Sequence, residues 1–190
     1  MWTTIFNRRL AQIARCNFLR QEDGTIAIET MIILPMLFWT YLTMFSIFDS
    51  FETYSNNQKA AYTIGDAISR ETLPIDDAYL NGTQDLFEYL TWSEGQSSIR
   101  VSSLWYDEAS DSIKRDWSQS RGWVVALTDS DVVNWKNRLP VMPDGERVVV
   151  VETWSNYTPP FKTGLEKGEI HNFVFTRPRY APRVCWVSCD

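Results

Sequence analysis

With 190 residues, 44% of them hydrophobic, the chain is long enough for one membrane segment and one modest globular domain, but not for a second full domain. Its formal charge of −6 is unevenly placed: residues 1–24 set Arg8, Arg9, Arg15 and Arg20 against Glu22 and Asp23 for a net +2, Glu29 adds −1, and residues 49–190 carry −7. So acidic a main domain repels phosphate backbones, whose binding rests on lysine and arginine, and this argues against a nucleic-acid partner.

From Thr25 to Phe48 the chain reads TIAIETMIILPMLFWTYLTMFSIF, apolar apart from Glu29 and a few hydroxyls. A helix of that length covers the hydrocarbon layer, about 30 Å thick. A run this long and hydrophobic on every side is expected to be a transmembrane helix and not a buried core helix. Arginines precede the span while Asp49 and Glu52 follow it, so the N-terminus is expected in the cytoplasm and the larger part outside it. A cleaved signal peptide has a shorter apolar core followed by a small-x-small site, and DSFETY after Phe48 offers none. The span is therefore expected to stay in the mature protein.

Within RQEDGTIAIET, Gly24 stands between the charged leader and the apolar run, and Glu29 follows five positions later as the only charge inside the span. Glycine has no Cβ, so its backbone can enter a protease cleft, and it weakens helix at the boundary, which should leave an extended bond open to attack. A carboxylate just inside the apolar layer is costly unless paired. The bland reading makes Gly24 a loop residue and Glu29 a side chain reaching for the headgroups.

This arrangement resembles a type IV prepilin processing site. The resemblance implies that a membrane-embedded prepilin peptidase cuts between Gly24 and Thr25 on the cytoplasmic side, keeping the hydrophobic segment. The new α-amine at Thr25, of this or a neighbouring subunit, is then a natural partner for Glu29. More widely, FLRQEDGTIAIETMIILPML resembles the start of TadE/TadF-like proteins, the pseudopilins of the tight-adherence (Tad) pilus machinery. A fainter likeness recurs in GERVVVVETWSNYTPPF and FVFTRPRYAPR. The implied partners are prepilin peptidase, other pseudopilins, pilus assembly proteins and the bacterial inner membrane.

Pro35 interrupts the span and should bend it. Beyond the bilayer, Phe51, Tyr54, Ala61, Ile64 and Ile68 keep helical spacing, so the helix is expected to run on to about Glu71, before Pro74. A short helix is expected over Asp76 to Leu90, and SIRVSSLWY and IKRDWSQSR bracket DEASDS as a hairpin. Thr128 to Leu139 reads as helix, with Thr128, Asp129 or Ser130 as N-cap. The turn PDG leads into the strand ERVVVVETWSNY, and the loop TPPFKTGLEKG separates it from the strand IHNFVFTR. The expected fold is α+β and pilin-like: a long N-terminal transmembrane stalk helix with a small antiparallel sheet packed on it. It divides into a leader over 1–24, a membrane helix over 25–48, a helix extension over 49–73 and an exported domain over 74–190.

Little in the exported part suggests catalysis, and the chain is expected not to be an enzyme and to need no cofactor or metal. The single histidine, His171, cannot build a multi-histidine zinc site and is expected near a strand edge. Asp107, Glu108 and Asp111 lack the glycine and distal glutamate of an EF-hand loop and read as a solvated acidic turn. Most of the tryptophans are expected in the core, and Arg177, Arg179 and Arg183 form either a basic docking edge or pairs with acidic loops. Cys16 lies on the reducing side, whereas Cys185 and Cys189 lie where a disulfide can persist, if a turn or helical arc brings them together. The competing reading of the whole chain is an unprocessed, membrane-anchored binding or sensor domain.

Overall fold

The computed structural model describes residues 23–93 and 95–189. The leader arginines, Glu22 and Cys16 lie outside the described residues. The chain divides into two compact units, Met1–Phe45 and Ser46–Asp190, and the first helix, α1 (Asp23–Ser69), contributes to both.

In the first unit, every large apolar side chain of α1 from Ile26 to Trp39 is exposed. The helix is long and apolar enough to cross a membrane. Its hydroxyls are satisfied locally: Thr30, Thr40 and Thr43 each donate to the carbonyl four residues back, at 2.8 to 2.9 Å. Pro35 sits within α1, where it cannot donate to the Met31 carbonyl.

In the second unit, the remainder of α1 buries Asn57, Ala60, Ala61, Ile64 and Ile68, a stripe at helical spacing. Phe51 and Tyr54, expected on that stripe, are exposed instead. The helix ends at Ser69, just short of Glu71, as Arg70 and Glu71 N–H groups tighten onto the carbonyls of Ala67 and Ile68. Next, α2 (Asp77–Thr91) is capped by Asp76, whose carboxylate accepts from the Tyr79 N–H. The strands β1 (Ser97–Asp107), β2 (Ser112–Arg121), β3 (Arg147–Tyr157) and β4 (Gly168–Thr176) form one antiparallel sheet in the order β2-β1-β3-β4.

Alternation along the strands sends residues to two layers. On one face Ile99, Val101, Val149 and Val151 pack with Ala60, Ile64 and Ile68 of α1 and with Leu80 and Phe87 of α2. Gly65 permits this approach, since a Cβ there would stand 3.2 Å from Val174 of β4. The opposite face carries Leu104, Val148 and Val150 under Leu127, Val132, Trp135, Leu139 and Met142. The fold is thus α+β, one long apolar N-terminal helix with a small antiparallel sheet.

The covering segment departs from the expected continuous helix over 128–139. Only α3 (Asp129–Val132) and a 3₁₀ turn, Trp135–Asn137, are formed. Thr128 does start it, its N–H donating to the Asp131 carboxylate at 2.8 Å. The β-branched pair Val132–Val133 followed by Asn134 is a poor helix continuation, and the anchors Val132, Trp135 and Leu139 are buried without one.

Candidate functional site

The leader boundary lies at the start of α1. Instead of an extended bond at Gly24, the structure places both Gly24 and Thr25 within α1. Any protease cutting there must first unwind this stretch of helix, which glycine makes easier by about 1 kcal/mol relative to alanine. Glu29 lies one turn beyond Thr25 on an exposed surface, and shares one face of α1 with Ile26, Thr30, Ile33, Leu34 and Leu37. A carboxylate flanked by four aliphatic side chains on one stripe has no cation within the apolar run, because the next charge is Asp49. In an apolar medium such a group requires a partner from outside the stripe.

Cys185 and Cys189 belong to the other unit. They are joined as a disulfide with a Cα–Cα distance of 5.2 Å. The turn they enclose includes Val187 at φ 60°, an uncommon conformation for a β-branched residue. Around it the tail is fastened to the segment between α1 and α2: Ile75 N–H donates to the Cys185 carbonyl and Val187 N–H to the Ile75 carbonyl, both at 2.9 Å. Trp117 Nε1 donates to the Val184 carbonyl at 2.8 Å, and its ring lies 5.7 Å from that of Trp186. Redox chemistry at this pair therefore acts on the seating of the tail.

The acidic turn is tied down by cations. Asp107 pairs with Lys114 and accepts from Ser110 Oγ at 2.7 Å, while Asp111 takes Lys136 at 2.5 Å and the Tyr106 hydroxyl at 2.5 Å. The lysine hydrogen bonds hold both carboxyls below their ordinary range, and the bond to Asp111 pushes the Tyr106 phenol up to about 12. Among the described residues no three His, Cys, Asp or Glu side chains converge on a metal-sized space. The basic group is likewise spent on pairing: Arg177 with Glu146 at 2.7 Å, Arg179 with Asp66 at 3.0 Å, and Arg183 with the Cys189 carbonyl.

One constellation escaped the sequence reading. Glu152, in the middle of β3, is 1% exposed. Arg100, its cross-strand neighbour on β1, donates to Oε2 through Nε at 2.8 Å and Nη2 at 2.5 Å. His171, on the edge strand β4, brings Nε2 within 3.5 Å of Oε1, and Arg138 lies at 3.9 Å. The His171 ring stacks on Trp154 at 4.6 Å, and Arg100 lies over the same indole. A charged residue directly after VVVV was the available signal. The group is a buried carboxylate compensated by Arg100, with Arg138 and His171 close by.

Comparisons with family models, with curated proteins and with solved structures return no match for this chain.

Proposed function

We propose that this chain is a minor pseudopilin-like component of a Tad or type IV-like pilus assembly system. It is anchored in the bacterial inner membrane by residues 25–48, with its sheet domain outside the cytoplasm, and is processed between Gly24 and Thr25 by a prepilin peptidase. It works through contacts with other pseudopilins and not through catalysis. The observation that carries this reading is Glu29, the lone charge on an outward-facing apolar helix surface one turn beyond the leader boundary. The α-amine released at Thr25 supplies the cation that this surface lacks, in the same or a neighbouring subunit. A long apolar helix continuing under a small antiparallel sheet supplies the matching architecture.

The test separates processing from assembly. Co-expression with a cognate prepilin peptidase should remove 24 residues, and Gly24 replaced by a bulky residue should block the cut. Glu29→Gln keeps the shape and removes the charge, so it should be cut normally and reach the membrane, yet assemble poorly. N-terminal sequencing that finds the leader intact in the native host would overturn the proposal in favour of an unprocessed anchored domain. Normal piliation by processed Glu29→Gln would remove the pairing mechanism.

A further inference from the structure

The sheet has two chemically different ends. Ser97 pairs with Ser155, and the Asn156 N–H donates to the Gln96 carbonyl, so the turn leading into β1 and the loop leaving Tyr157 emerge at one end. At that same end the Tyr157 hydroxyl donates to Asp49 at 2.9 Å and reaches the Ser46 carbonyl at 3.4 Å. It is therefore fixed to α1 where the apolar run stops, at Phe48. Large aromatic side chains are exposed here: Phe161 at 41% beyond Tyr157, Trp92 at 84% before β1, and Phe51 at 70% one turn past Phe48. At the opposite end of the sheet stand Asp107, Glu108, Asp111, Asp144 and Glu146.

We propose that the aromatic end of the sheet domain rests on the outer surface of the bilayer, with Phe161 inserted among the lipid headgroups and Trp92 and Phe51 beside it. The inference rests on residues 25–48 spanning the membrane. Tryptophan favours the headgroup layer, and phenylalanine on an interfacial surface enters the boundary between headgroups and acyl chains. A ten-residue loop starting at the level of Asp49 has that layer as its nearest surroundings. Pro159 and Pro160 fix two backbone angles before Phe161, which lowers the entropy lost on insertion. Lys162 and Lys167 are offset by Glu166 and Glu169, so the segment around Phe161 meets the surface through its apolar groups. The acids at the far end keep that end in water.

The full chain carrying Cys16→Ser, with Cys185 and Cys189 kept oxidised, is reconstituted into phosphatidylethanolamine–phosphatidylglycerol vesicles. A polarity-sensitive fluorophore is placed at Phe38→Cys, Glu166→Cys or Ala109→Cys, with lipids spin-labelled in the headgroup or acyl chain as quenchers. The expected result is acyl-chain quenching at position 38, blue-shifted emission with headgroup quenching at position 166, and neither at position 109. Adding Phe161→Ser to Glu166→Cys should abolish the shift and the quenching. Quenching at 38 without quenching at 166, equal quenching at 166 and 109, or indifference of 166 to Phe161→Ser would each overturn the proposal. An unquenched position 38 would remove the membrane span itself.

Discussion

Glu152 and Glu29 are two carboxylates with opposite solutions to one problem. Glu152 is buried and fully compensated by Arg100, with Arg138 and His171 close by. Removing one partner from a buried pair leaves an uncompensated charge, and the loss exceeds what the pair itself contributes. Arg100→Met should therefore lower stability by about 3 kcal/mol, while Arg100→Met with Glu152→Leu should recover most of it. Denaturant unfolding of the full chain in detergent, followed by tryptophan fluorescence, measures both. Equal losses in the single and double variants would show that packing and not charge is at stake. Glu29, in contrast, has only apolar and hydroxyl neighbours among the described residues of its helix face, and the processing proposed above would supply its cation.

At the scale of elements, the β1–β2 hairpin and its neighbours depend on close backbone approaches. Gly122, just past β2, has φ 87°, and a Cβ there would stand 2.2 Å from Ser98 Oγ and 2.7 Å from the Ser97 carbonyl. Gly122→Ala should therefore destabilise by more than about 1 kcal/mol, whereas Gly82→Ala, in open space on α2, should not; thermal melts of the two variants decide it. Reduction of Cys185–Cys189 should cost about 2 kcal/mol in the chain-entropy account. It should speed hydrogen exchange at the Ile75 and Val187 amides before exchange rises at Val149 or Val151.

These elements were unevenly legible. The hairpin could be read because DEASDS separates two strand-like runs, and α2 because Asp76 precedes an amphipathic stretch. Phe51 and Tyr54 fall outside the buried stripe because helical spacing alone does not choose which of two adjacent stripes meets the sheet; Asn57 lies on the one that does, accepting from Ser155 at 2.6 Å. Residues 128–139 depart from the expected helix because burial of Trp135 and Leu139 satisfies the same periodicity without a continuous helix. Glu152 is hard to read from sequence because its partners come from β1, β4 and the covering segment, and only strand register and the fold of that segment bring them together.

For the whole molecule, acid sensitivity gathers on three surface carboxyls, two of them at the acidic end of the sheet. Asp107 and Asp111 are held down by Lys114 and Lys136, and Asp131 by its hydrogen bonds from Thr128. Since each folded value lies below the unfolded one, their contribution is complete above the ordinary carboxyl range and is lost as pH falls through the folded values. Thermal stability should therefore stay level down to about pH 5 and drop below about pH 4, and Asp107→Asn with Asp111→Asn should flatten that drop. The tail has a bearing on timing. Val184 completes the helix-side core, and Ile75 waits for Cys185 and Val187 to occupy both of its backbone groups. Contacts so distant in sequence close late. A chain without residues 184–187 thus leaves the Ile75 backbone groups bare and the helix-side core unfilled, open to proteases, which makes the tail the latch of the sheet domain.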